Sequence, residues 1–213
     1  MQWRERLVGR PDMFEWRGPV HEGLLGKAGC EPAHTQTDAF KVVHRRRQSS
    51  KGGVGDRNLR ILRAWFAKHG EADVRLMHYF GAELLANKHI GEAMYWLRRH
   101  ALMSNWSDER CLSLLHLARI SLAMGDWGEA AEWALKAVAT KSWPEPWWIA
   151  GQACCAMAEA GIEPDYNYRR GAHMLAQGFR ADTPAASSLL MKDPTARFEA
   201  HAWLAPELLK LGE

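Results

Sequence analysis

The sequence predicts a mainly α fold: a solenoid of helical hairpins preceded by a short β-containing segment. Three observations carry this reading. From Arg57 onward, apolar residues recur at helical spacing. Within that region, small residues return at fixed distances along successive pairs of predicted helices. Before it, residues 1–47 hold short β-branched and aromatic stretches broken by Gly and Pro.

The N-terminal stretches come first. "ERLVG", residues 5–9, is short and ends on Gly. "FEWRGPVHEGLL", residues 14–25, is strand-like: two aromatics, an Arg-Gly-Pro turn, then His21-Glu22 running into apolar residues. "FKVVHR", residues 40–45, fits a buried or edge strand. A polar loop, "GCEPAHTQTD", lies at residues 29–38. Fewer than about 50 residues rarely hold a core without staples or partners. These strands must therefore lean on the helices that follow or on sheet supplied from elsewhere. "QSSKGGVGD", residues 48–56, reads as a linker.

The helical region spans residues 57–213. "RNLRILRAWFAKHG" places Leu59, Leu62, Trp65 and Phe66 on one helical face and stops at Gly70. In residues 74–101, Phe80-Gly81 is followed by Ala93 and Leu97. In residues 111–138, Leu117-Ala118 is followed by Ala130, Ala134 and Ala137. Ala93 and Ala130 are 37 residues apart. Small residues at such positions let antiparallel helices approach, and large ones fill the grooves between pairs. A third pair follows. "EPWWIAGQACCAMAEAG" is apolar nearly all round and should be a central helix, with "DYNYRRGAHMLAQGF" as its partner. After Ala181, short helices split by Pro184, Pro194 and Pro206 would cap the array.

Composition sets limits. The 213 residues are 47% hydrophobic, enough for a real core. No apolar run approaches the roughly 18 residues of a membrane helix. "MQWRERLVGR" lacks the apolar stretch of a signal peptide, so a cytoplasmic location with no membrane partner is expected. Cys30, Cys111, Cys154 and Cys155 have neither disulfide-framework nor zinc-knuckle spacing and read as small thiols in a reducing compartment. Net charge is +3, with 12 Lys/Arg against 7 Asp/Glu in residues 1–60. The basic run "HRRRQSSKGG", residues 44–53, reads as a solvated connector; an anionic substrate or nucleic acid are the alternatives. The acidic balance of the remainder counts against nucleic acid. Nine of the eleven tryptophans follow residue 60 and read as core or inter-repeat packing. "WPEPWW", residues 143–148, is the exception: either a helix-start turn, or a site where Trp143 or Trp147 faces a groove and stacks on sugar or peptide.

The residues alone offer no complete active site. His21-Glu22 is not HExxH, because position 25 is Leu. Cys30, His34 and His44 lack zinc-finger spacing. "KGGVGD" is not a phosphate-binding loop.

Two resemblances extend this. The Gly81/Ala93/Leu97 and Ala118/Ala130/Ala134 patterns, and the turn "GDWGEA" at residues 125–130, resemble the tetratricopeptide repeat. The whole succession is Trp16-Arg17-Gly-Pro-Val-His21-Glu22, the "VVH" strand, a Lys/Gly linker, "RNLRIL", "WSDER" at residues 106–110 and "WPEPW" at 143–147. That succession resembles the C-terminal portion of bacterial and phage family 2 glycosyltransferases of the GT-A type with appended tetratricopeptide-like repeats. The resemblance implies that residues 1–47 are terminal strands of the catalytic domain. It implies that His21 contacts a metal or the diphosphate, and that Glu22 orients it or helps bind acceptor as a catalytic group. Trp16 would line the pocket, and Arg17 and Arg45–Arg47 would attract phosphate. Mn²⁺ or Mg²⁺ belongs to the assembled enzyme. The chain contains no Asp-x-Asp, so the resemblance implies no activity or cofactor for the chain alone. The implied partner is a separately encoded N-terminal half or a second copy, and the implied acceptor is a protein or a glycan. The rival expectation is a non-enzymatic scaffold whose helical repeats bind other proteins.

Overall fold

The structure is a computed structural model that describes residues 10–27, 30 and 56–181. Among these it contains seven helices and one two-stranded sheet. The chain divides into two compact units, residues 1–70 and 71–213.

In the first unit, a 3₁₀ turn at Pro11–Met13 leads into β1 (Phe14–Arg17), which pairs antiparallel with β2 (Gly23–Gly26). The strand-like stretch at residues 14–25 is therefore a β-hairpin. Trp16 faces Leu24 and Arg17 faces Gly23 across it. Gly18, at φ 107°, opens the five-residue connection, a conformation that L side chains rarely adopt. The expected strands at residues 5–9 and 40–45 lie outside the described residues, as does the expected linker apart from Asp56. Helix α1 (Arg57–His69) buries Leu59, Leu62 and Phe66 and ends at Gly70, whose amide closes on the Phe66 carbonyl. The division between units falls after this helix, so α1 groups with the N-terminal residues.

The second unit contains α2 (Val74–Ala86), α3 (Ile90–Met103), α4 (Ser107–Met124), α5 (Trp127–Thr140), α6 (Pro144–Glu159) and α7 (Pro164–Arg180). Each helix packs on the next, and α2 also touches α4 while α4 touches α6. The pairs run antiparallel: Cys111 near the start of α4 meets Ala137 near the end of α5, and Ser121 meets Glu129. Asp73 and Asp126 cap α2 and α5, accepting from the amides of Leu76 and Glu129. Gly125, left-handed at φ 80°, ends α4.

The small residues sit at the helix contacts. A β-carbon on Gly81 would lie 2.7 Å from the Leu97 side chain, which is fully buried. Burial of a leucine of this kind contributes roughly 1.5–3 kcal/mol, and only glycine leaves it room. Ala118, Ala134 and Ala150 share a cluster with Leu115, Ile149, Cys154 and Met174. Gly151 and Gly171 bring α6 and α7 into close approach, since a β-carbon on either would lie within 3.1 Å of the other's carbonyl oxygen. Helix α6 buries residues on every side, as its apolar sequence predicts. Cys111, Cys154 and Cys155 are buried free thiols. No helix among the described residues is long and apolar enough to cross a membrane. The proline-split segments after Ala181 lie outside the described residues.

Candidate functional site

Four of the residues that the sequence singles out, Trp16, Arg17, His21 and Glu22, lie on the hairpin. The register of β1 and β2 forces residues 18–22 into a loop, and its sequence, Gly-Pro-Val-His-Glu, suits one. Val20 is buried, whereas His21 and Glu22 are exposed. His21 stands in the left-handed region at φ 51°, uncommon for a residue with a β-carbon. Trp16 is 61% exposed on one face of the hairpin, and Leu25, 46% exposed, lies on the other. Arg17 is exposed and ion-paired with Glu15 two residues back on the same face. Lys27 ties the base of the hairpin by donating to the Asp12 carbonyl at 2.7 Å.

The loop thus presents an imidazole and a carboxylate side by side, with a guanidinium at the neighbouring strand end. A carboxylate oxygen is a donor that Mn²⁺ or Mg²⁺ accepts, whereas an imidazole nitrogen suits softer transition metals better than Mg²⁺. Among the described residues, however, no group of three metal-ligating side chains converges. His21 and Glu22 could complete a metal or diphosphate site but do not form one themselves. Arg45 lies outside the described residues.

The two groove candidates take different places. Trp143 stands just ahead of the first turn of α6 and is 4% exposed, packed with Ala101, Cys111, Leu112 and Ala137. Its ring is core. Trp147 is half-buried, and its indole N–H donates to the Ser142 hydroxyl at 3.0 Å. Of the pair, Trp147 alone keeps a solvent-facing edge.

A second constellation was not foreseen from the sequence. Glu109, 1% exposed, stands in the first turn of α4 and joins it to α2. Its Oε1 accepts from the Tyr79 hydroxyl at 3.0 Å and from Arg75 Nε at 3.3 Å. Arg75 also donates to the Tyr79 hydroxyl and lies over the rings of Tyr79 and Trp106, at 5.3 and 5.7 Å. One turn further along α4, the Ser113 hydroxyl sits 2.8 Å from Nδ1 of His78 on α2 and 2.8 Å from Nδ1 of His100 on α3. His100 Nε2 lies 3.9 Å from Glu109 Oε2. Burial pushes the Glu109 carboxyl up, against the opposing pull of Tyr79 and Arg75. Burial pushes His100 down to about 4, and His116, beside His78, down to about 4 with Arg119 adding to the effect. A Ser-His-Glu grouping invites a hydrolase reading, but Ser113 and His100 are fully buried and no substrate reaches them. The signal in the sequence is faint: "LMHYF", "RRHAL" and "CLSLL" each set one polar residue into an apolar helical face.

No protein-family model matches the chain, and no curated protein matches it.

Proposed function

We propose that this chain carries the closing strands of a family 2 glycosyltransferase catalytic domain together with that enzyme's tetratricopeptide-like tail. The observation that supports this reading is the β1–β2 hairpin. It has no third strand among the described residues, and it exposes Trp16 and Leu25 on opposite faces. Isolated two-stranded sheets are marginal in water, and apolar side chains on both faces belong to strands inside a larger, covered sheet. On this reading, Trp16 lines the donor-sugar pocket and Arg17 faces the nucleoside diphosphate. His21 completes the diphosphate or metal site supplied by the nucleotide-binding half, and Glu22 orients the imidazole or receives the acceptor. Helices α2–α7, as a solenoid of three hairpins, hold the acceptor or the partner half.

The test is reconstitution with a GT-A half bearing the Asp-x-Asp pair, read as nucleoside diphosphate release. The chain alone is expected to release none and the mixture to turn over. His21→Ala should then lower the rate about 100-fold or more, the usual consequence of removing one contact to developing charge. Full activity in His21→Ala removes His21 from the chemistry. Unchanged partner binding after deletion of residues 1–47 would overturn the transferase reading in favour of a scaffold. That second reading has its own support, because contacts between α2 and α4 and between α4 and α6 are those of stacked hairpins, which commonly bind peptides on one face.

A further inference from the structure

We propose that His78, Ser113, His100 and Glu109 form a proton-sensitive latch joining α2, α3 and α4, in which His100 is held as its Nε2–H tautomer. Ser113 sets the tautomers. Its hydroxyl has one proton and stands 2.8 Å from two imidazole Nδ1 atoms. It can donate to one and must accept from the other. If Ser113 donates to His78, His100 carries its proton on Nδ1 and turns the bare lone pair of Nε2 toward Glu109 Oε2 at 3.9 Å. If Ser113 donates to His100, the Nε2–H of His100 points at that carboxylate. Glu109 is paired with Arg75 and accepts from Tyr79, which marks it as ionised. A carboxylate repels a lone pair and attracts an N–H, so the second arrangement is the stable one. Donation then runs in one direction, His78 Nδ1–H to Ser113 and Ser113 to His100 Nδ1, and the His100 Nε2–H, with no hydrogen-bond partner of its own, faces the Glu109 carboxylate at 3.9 Å.

A first added proton forces this chain to reverse, and a second breaks it. A proton taken from solvent by His100 makes both its nitrogens donors. Ser113 must then accept from His100 and donate to His78, which shifts to its other tautomer. A second proton, on His78, leaves the Ser113 hydroxyl facing two donors with nowhere to send its own. It also places two cations with ring centroids 5.3 Å apart in the interior. All the groups that face the latch bear on this. Helix α2 brings Arg75, Tyr79 and His78, and α4 brings Glu109, Ser113 and His116, with Arg119 beyond. Asp73, ahead of α2, acts on Glu109. Acid should therefore open the junction of α2 and α3 with α4 before the α6–α7 pair responds.

Two measurements on the intact chain test this. Nitrogen-15 NMR of the imidazoles at pH 7.5 should show His100 protonated on Nε2 and His78 on Nδ1. Finding His100 protonated on Nδ1 overturns the tautomer assignment and with it the latch. Amide exchange in α2 and α3, corrected for the intrinsic rate, should accelerate roughly 70-fold between pH 7.5 and 4.5, as follows when a histidine at about 4 in the fold is released to 6.5. The acceleration should shrink by about that factor in His100→Gln and remain in part in His116→Gln. An acceleration left unchanged by His100→Gln, or none at all in the unsubstituted chain, overturns the latch.

Discussion

Glu109 shows how one side chain comes to organise a protein's interior. It lies in the stretch "WSDER", where an acid in a first helical turn ordinarily faces water and complements the helix dipole. Here it is enclosed, and its hydrogen bonds run to α2. Removing it takes away the carboxylate that accepts from Tyr79 and Arg75 and that faces the buried His100 imidazole at 3.9 Å. Glu109→Ala is expected to destabilise the fold by about 2–3 kcal/mol in urea unfolding. Ser113→Ala strands two buried imidazole nitrogens at once and should cost about 1–3 kcal/mol. The surface pair Lys136–Glu132, by contrast, is a solvated i,i+4 contact. Lys136→Ala should change stability by less than about 0.5 kcal/mol.

Among the helices, glycine position decides the sign of a substitution. Gly81→Ala would press on the Leu97 side chain, and Gly178→Ala would meet the Trp148 ring. Each should cost about 1–3 kcal/mol, read as a drop in thermal midpoint. Gly91, in the first turn of α3, has nothing within 4 Å of its would-be β-carbon. Gly91→Ala should be neutral to stabilising by about 0.5 kcal/mol. Gly125 has equal space but stands at φ 80°, so its alanine variant should lose about 1 kcal/mol. The helices themselves were legible because their apolar period, their Asp caps and their Gly stops are local signals. The predicted stop at Gly70 falls where the structure has it, whereas of the turn predicted at residues 125–130 only Gly125 and Asp126 lie between helices, α5 starting at Trp127. The hairpin at residues 14–26 was legible as strand and turn, but its register was not. Two four-residue strands flanked by Gly carry too few alternating positions to fix pairing.

For the molecule as a whole, acid and thiol reagents report on the same interior. His100 and His116 are held at about 4 in the fold against 6.5 when unfolded. The unfolded chain therefore binds more protons between those values, and stability should fall as pH drops from about 6.5 to about 4. Glu109 works in the opposite direction, since a raised carboxyl is protonated more readily in the fold than out of it. Thermal midpoints across this range should decline, and His116→Gln should flatten the decline. Cys111, pushed up to about 12 by burial, and Cys154, also pushed up, are shielded thiols. A colorimetric thiol titration should find Cys111, Cys154 and Cys155 unreactive until denaturant is added, while the half-buried Cys30 reacts in the folded chain. The sequence by itself determined the helical class, the pairing of helices by small residues, the burial of α6 all round and the strand-like character of residues 14–25. Those features rest on neighbours within a few turns of chain. Only the tertiary structure decided that Trp143 is core while Trp147 keeps a solvent-facing edge, and that His78, His100, Ser113 and Glu109 meet. Such polar contacts join residues on different helices, 35 positions apart for His78 and Ser113 and 13 for His100 and Ser113, and no local period encodes which side chains will face each other there.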